Sequence, residues 1–137
     1  MAADFTINAD HKLVFSFGWD TLTHADIEDH RTRLLGDARF HRDLRQIVDL
    51  THVTGWELSH REIMSLAQQP VFAPESRRVL VAESDLCYGL ARVFEGYSIA
   101  QTIGIFHGLD EAAQWVGVPT EVAHESLVAL RSTHGLA

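Results

Sequence analysis

The sequence has little cysteine, little proline and no long apolar run, and each shortage argues against a class of protein. Its one cysteine, Cys87, cannot form an intramolecular disulfide, so nothing indicates a disulfide-stabilised framework from an oxidising compartment. No apolar stretch approaches the roughly 18 residues of a membrane-spanning helix. Asp4 stands near the N-terminus, where a signal peptide carries positive charge. We therefore expect a cytoplasmic protein without a transmembrane segment.

Basic charge is also scarce. The 137 residues contain 19 acidic and 11 basic side chains, which gives a formal net charge of -8 with histidine neutral. An acidic protein is repelled by polyanions, so nucleic acid is not an expected partner. Five arginines do crowd between residues 31 and 45. We interpret them as the solvated side of a helix and its following loop, with a local basic patch as the alternative.

The short motifs of nucleotide and metal sites are missing as well. Neither a glycine-rich dinucleotide fingerprint nor a Gly-Lys-Ser phosphate loop occurs. The nine histidines include no pair at i, i+4, and none has a cysteine partner. No cofactor and no metal are predicted.

The strongest pattern present is a buried strand that leads into a helix, from Arg78 to Glu95. In the strand, Val79 and Val81 share one face and Leu80 and Ala82 the other, so both faces are apolar. Strands of this kind lie centrally in parallel sheets, covered on both sides. Apolar residues at 86, 90, 93, 94 and 97 then follow one helical face.

Further strands and helices surround this unit. The other predicted strands are Asp4 to Asn8, Leu13 to Trp19, Gln46 to Leu50 and Thr102 to Phe106, with Thr51 to Glu57 as a loop. The other predicted helices run from about 24 to 35, from Ser59 to before Pro70, between Asp110 and Gly117, and from about Thr120 to Thr133. The heavier face of the second strand, with Leu13, Phe15 and Phe17, should meet helices. His30, between Ile27 and Leu34 on the first helix, is predicted to be a hydrogen-bonded residue at the core boundary.

Strands that alternate with helices favour parallel pairing, because each helix crosses back to the next strand. The short link between the first two strands instead makes an antiparallel hairpin. The fold class is therefore α/β. We predict one domain, residues 1–137, with a mostly parallel sheet of about five strands and four to five helices.

This element order, with Asp49-Leu50-Thr51-His52-Val53-Thr54 at the end of the second long strand, resembles the STAS domain family of anti-sigma-factor antagonists. It is most similar to the SpoIIAA-like branch, which is related to Sec14-type lipid-binding domains. Tyr88 to Glu95 and Glu111 to Trp115 are similar to recurring segments of that branch. The resemblance covers about residues 4–117, so the last helix, about 119–134, is an addition. It implies a non-catalytic binding or regulatory module that acts through a protein partner or a small apolar or lipid ligand.

Regulatory members of this family carry an Asp-Ser-Ser-Gly tetrad whose second serine is phosphorylated. Aligning Val53-Thr54 with the family's Val-Thr places Glu57 to His60 on the tetrad, where only Ser59 matches. The resemblance thus makes Ser59 the candidate phosphorylation site. The alternative follows from the pattern Ser59-x-x-Glu62, which is a capping box.

The candidate ligand-binding or partner-binding residues are Trp56, Ser59, His60, Ser84, Tyr88 and Arg92. Tyr88, Arg92 and Glu95 lie at i, i+4 and i+7, where they either orient a polar ligand or form an exposed ion pair beside a ring. Gly89, inside this helix, suggests close approach by a helix or a ligand.

Cys87, at the start of the same helix, is either a reactive thiol or a small buried apolar residue.

If helices cover mainly one side of the sheet, the apolar second face needs other cover. A homodimer is the first expectation and an apolar or lipid ligand the second. The competing hypothesis is a nucleotide-binding stress-type protein or a small enzyme. Such a protein would use loops at the C-terminal edge of the sheet, around Ser84, His52 and His107.

Overall fold

Strand pairing follows the order of the sequence, and this determines the architecture. The structure, a computed structural model, describes residues 2–136. Its elements are β1 (Ala3–Asn8), β2 (Leu13–Thr23), α1 (His24–Leu35), β3 (Arg45–Glu57), α2 (His60–Ala67), β4 (Arg77–Val81), α3 (Asp85–Tyr97), β5 (Thr102–Phe106), α4 (Leu109–Val116) and α5 (Thr120–Thr133). The strands form one sheet in the order β1-β2-β3-β4-β5.

The sheet is mixed in the way the sequence predicts. β1 and β2 form an antiparallel hairpin, and β2 to β5 run parallel. β4 lies between β3 and β5, so the segment with the strongest apolar pattern is internal. The predicted α/β class is confirmed.

The order of the parallel strands decides which face each helix covers. Right-handed crossovers that always step in the same direction place their helices on one face of a sheet. The helices α1, α2 and α3 accordingly lie on what we call the second face, which bears Ser16, Val48 and Leu80. The two C-terminal helices cover the first face, which bears Phe15, Ile47 and Val79. The sheet is therefore covered on both sides.

The first face carries the larger core. Leu13 and Phe15 are fully buried, and they belong to one apolar cluster with Ala113 of α4 and with Ala123 and Leu130 of α5. The heavier face of β2 meets helices, as predicted. The terminal helix supplies part of the cover of this core.

Two strands extend further than the sequence suggests. Thr51 to Glu57, predicted as a loop, continues β3, because β2 also runs on to Thr23 and pairs with it from Trp19↔His52 to Thr23↔Glu57. Gly55, which favours a loop in the sequence, allows a close approach instead: a Cβ there would lie 3.0 Å from Thr21 Oγ1. β4 in turn ends at Val81, one residue before Ala82, the last residue that the sequence pattern places in this strand.

If α5 is part of the core, truncating its inward face must destabilise the domain. Leu130 is 5% exposed, so Leu130→Ala should lower the free energy of unfolding by about 2–4 kcal/mol. Val128, on the same helix, is 62% exposed, and Val128→Ala should change it by less than about 0.5 kcal/mol. Urea denaturation measures both, and equal small effects would show that the core does not need this helix.

Candidate functional site

A cavity of about 190 Å³ lies between the second face of the sheet and the helices that cover it. Val48 and Leu80 form its floor, and Leu90 and Phe94 of α3 form part of its wall. Both floor residues keep accessible surface although they lie on internal strands. The helices therefore cover the second face without filling the space above it.

The cavity follows the direction of the strands. Gln46 and Arg78, which are paired across β3 and β4, line it near the start of these strands. Leu50 and then Trp56 line it further along β3. The four residue steps of extended chain from Gln46 to Leu50 span about 13 Å, so the cavity is elongated. It has a polar end, and Arg31 and Gln69 are the other polar side chains of a lining that is otherwise apolar.

The polar end is a chain of hydrogen bonds across four elements. The Nε–H of Arg78 donates to Oε1 of Gln46 at 3.1 Å, and Nε2 of Gln46 donates to Oγ of Ser16 at 3.1 Å. Ser16 Oγ is hydrogen-bonded in turn to Nε2 of His30 at 2.9 Å. Because a guanidinium only donates, Arg78 determines which way the Gln46 amide points. The chain links β4, β3 and β2 to α1.

His30 is uncharged in this chain at neutral pH. Burial lowers its pKa to about 4, and the nearby charges of Arg33 and Arg78 act in the same direction, against Asp4 and Asp29. The predicted role of His30 as a hydrogen-bonded residue at the core boundary agrees with this geometry.

Arg78 is the one charged member of the chain. Burial lowers its pKa to about 10, so it stays protonated at neutral pH. The rings of Phe72 and Phe94 lie 4.8 and 5.9 Å from its Cζ atom, close enough for cation–π attraction. Within residues 2–136, no carboxylate oxygen lies within 4.0 Å of a guanidinium nitrogen of Arg78, so it has no ion-pair partner there.

Of the candidate residues chosen from the sequence, Trp56 lines the cavity. Its Nε1–H donates to Sγ of Cys87 at 3.1 Å. Cys87 is buried, which agrees with its interpretation as a small apolar residue. Ser59 lies elsewhere, at the exposed start of α2, where its Oγ accepts from the Glu62 amide at 3.1 Å and Glu62 Oε1 accepts from the Ser59 amide at 2.8 Å. The predicted capping box is therefore present.

The other candidates do not converge on one point. His60 is hydrogen-bonded to the Tyr97 hydroxyl, and Ser84 Oγ accepts from the Cys87 amide at the start of α3. Tyr88 stacks on His107 with ring centroids 4.3 Å apart. Arg92 pairs with Glu95 at 3.7 Å on the exposed side of α3, which matches the ion-pair alternative.

One expectation for α3 is wrong, and another is wrong in part. Leu86, placed on the inner face by its spacing, is 58% exposed. Nothing lies within 4 Å of a Cβ built at Gly89, so no helix approaches it there, while close approach by a ligand stays a prediction. Cys87 and Ala91 are the buried residues of this helix, and Leu90 and Phe94 line the cavity.

Each of the three residues of the enzyme hypothesis contacts a different partner. Ser84 caps α3, His52 Nδ1 is hydrogen-bonded to Thr51 Oγ1 at 3.2 Å, and His107 stacks on Tyr88. No hydrogen bond joins any two of them in the described part of the chain.

Sequence reasoning missed Ser16, Gln46 and Arg78 as site residues. Each faces the same side of the sheet and has an apolar residue two positions away on its own strand, namely Val14, Val48 and Leu80. A polar residue at such a position in an internal strand was the available signal. Its meaning depends on the register, which pairs Gln46 with Arg78.

Within residues 2–136, no cluster of three or more histidine, cysteine, aspartate or glutamate side chains is arranged to hold a metal ion. No helix in that range has the length and apolar character needed to cross a membrane.

Comparison with known proteins gives the fold a name. No protein-family model matches this chain, and no curated protein matches it. Among solved structures, an uncharacterised protein of the DUF3478 family from Shewanella loihica PV-4, described as having a SpoIIAA-like fold, superposes with a TM-score of 0.61. The match covers 84% of this chain and 94% of that one at 16% identity.

The chain has a SpoIIAA-like fold. The predicted fold is thereby confirmed, and at this identity the likeness concerns the fold alone. Phosphorylation of Ser59 and the relationship to Sec14-type domains stay predictions for this SpoIIAA-like domain.

The buried, neutral state of His30 predicts a loss of stability in acid. The unfolded chain takes up a proton near the ordinary pKa of 6.5, whereas the folded one does so only near 4. The contribution of neutral His30 to the free energy of unfolding is therefore fully present above pH 6.5. It is lost as the pH drops towards 4, and the loss is at most about 3 kcal/mol. His30→Gln should show a smaller fall than wild type in urea denaturation across this window. The exposed control His41→Gln should behave as wild type, and an unchanged fall in His30→Gln would contradict a neutral buried His30.

Because Ser59 caps α2, replacing it should destabilise the protein whether or not this serine is ever phosphorylated. Ser59→Ala should lower the free energy of unfolding by about 1 kcal/mol, because the Glu62 amide loses its acceptor. Ser65→Ala, inside the same helix, is the control and should be nearly neutral. If Ser59→Ala leaves the free energy of unfolding unchanged in thermal or urea denaturation, Ser59 does not stabilise the helix as a cap.

Proposed function

We propose that this SpoIIAA-like domain is a non-catalytic binding module that holds a small apolar ligand between its second face and α1, α2 and α3. The cavity over Val48 and Leu80 is the observation that carries the proposal. Ligand sites in proteins are concave and mostly apolar, with a few polar groups that orient the ligand. The apolar floor and the polar chain at one end have this composition.

The size of the cavity limits the ligand. An engineered apolar cavity of about 150 Å³ binds benzene. On that scale a cavity of 190 Å³ takes a molecule of roughly six to ten non-hydrogen atoms. Larger ligands need a side chain or a helix to move.

The cover of the second face bears on one of the alternatives that the sequence raised. Three helices cover the second face, so this face does not require a second subunit. Homodimerisation, regulation by a protein partner and the enzyme hypothesis stay predictions that need their own evidence.

The proposal predicts that filling the cavity abolishes binding. Hexanamide, a neutral probe of suitable size, should cause saturable shifts at Leu80 and Leu90 in nitrogen–proton NMR spectra. Val48→Phe places a ring in the cavity and should weaken this binding by about tenfold or more, since the probe and the ring need the same space. Val128→Phe makes the same change at a side chain that is 62% exposed and should bind as wild type.

The experiment also shows how the proposal fails. Unchanged binding in Val48→Phe, or shifts confined to residues outside the cavity, would contradict it. Thermal unfolding checks that Val48→Phe folds. If it does not, Ala91→Leu fills the same cavity from α3 and takes its place.

A further inference from the structure

Arg78 has donors that the protein does not use. A guanidinium carries five N–H donors in a planar fork. The Nε–H is bound by Gln46 at 3.1 Å. Within residues 2–136, Nη1 and Nη2 donate to no protein acceptor. The end of the fork is therefore available at the polar end of the cavity.

The charge of Arg78 is also uncompensated. Its neighbours in the chain, Gln46, Ser16 and the neutral His30, carry no negative charge. The faces of Phe72 and Phe94 offset only part of the desolvation, because cation–π attraction is weaker than an ion pair in a buried site. All 19 acidic side chains lie within residues 2–136, yet none of them is placed against this guanidinium. Arg78 keeps some accessible surface, but a largely buried cation without a counter-ion is costly, and proteins normally pair it.

We propose that the cavity takes a small apolar carboxylate, whose carboxylate group binds the two Nη atoms of Arg78. Two carboxylate oxygens match the paired donors of a guanidinium, and such bonds are charge-assisted and directional. The apolar part of the ligand lies over Val48 and Leu80, towards Trp56. This inference rests on the proposed function of the cavity and adds the chemical class of the ligand.

The charge of the site favours a carboxylate over a phosphate. Arg78 supplies one positive charge, and His30, the titratable member of the chain, is neutral. Arg31 also lines the cavity, but its Nη1 donates to Gln69 Oε1 at 2.8 Å on the exposed side. A single charge matches a monoanion, and a phosphate dianion would bring a charge with no partner.

Gln46 acts here as a positioning residue. Its Oε1 holds the Nε side of the guanidinium, and its Nε2 is held by Ser16. The plane of the fork is therefore fixed before a ligand arrives, which reduces the entropy lost on binding.

The test compares two probes with the same number of non-hydrogen atoms, hexanoate and hexanamide, by calorimetry at neutral pH. Wild type should bind hexanoate at least about tenfold more tightly, because the charge-assisted bonds form only with the anion. Arg78→Met should lose this preference and still bind hexanamide. Arg92→Met removes the same charge at a side chain that is 62% exposed and should keep the wild-type preference.

Each result decides between the two proposals. If wild type binds both probes equally, or Arg78→Met keeps the preference for hexanoate, the carboxylate inference is wrong while the apolar site stands. If neither probe binds wild type, both are wrong. Thermal unfolding shows whether Arg78→Met folds, and if it does not, Arg78→Lys keeps the charge, loses the fork and should lose most of the preference. An unchanged preference in Arg78→Lys would overturn the role of the fork.

Discussion

The handedness of the crossover between parallel strands is the constraint on which this structure depends. Four strands are laid down in sequence order, from β2 to β5. Crossovers between parallel strands are right-handed in nearly all proteins, and the three crossovers here step the same way, so α1, α2 and α3 share one face. The chain then returns with α4 and α5 to cover the other face, where the rings of Phe15 and Phe17 are buried. The strand order therefore determines which helices cover each face of the sheet.

The two faces differ in how completely they are filled. On the first face, α5 packs on β1 and β2 and α4 packs on β3, β4 and β5, with the small residues Ala113 and Ala123 fully buried beneath the two helices. On the second face, the helices bridge over Val48 and Leu80 and leave a cavity. The polar chain from Arg78 to His30 occupies one end of that space. One face thus provides stability, and the other carries the features of a binding site.

The sequence predicts most of the fold because its signals are local. Apolar spacing, the hydroxyls at the starts of α1, α2 and α3 and the prolines after α2 mark element boundaries through local sequence alone. The prediction of a loop over residues 51–57 is wrong because the structure there depends on a distant strand. Its backbone is extended because β2 offers a parallel partner there, and Gly55 packs against Thr21.

The binding site is less predictable than the fold. Arg78 and Gln46 are 32 positions apart in the sequence, and only the register of β3 and β4 brings them within hydrogen-bond distance. The residues chosen from local spacing on α3, such as Tyr88 and Arg92, find partners on the surface or at the sheet edge. Trp56 was identified because a large aromatic side chain needs cover wherever the chain places it.

The proposed binding site depends on a space lined by apolar side chains between the second face and its three helices. A crystal structure determined under xenon pressure tests this directly, because xenon enters apolar cavities without needing a chemical partner. We expect xenon electron density over Val48 and Leu80, bounded by Leu90 and Phe94 of α3. Side chains that fill this space, with no xenon bound there, would contradict it.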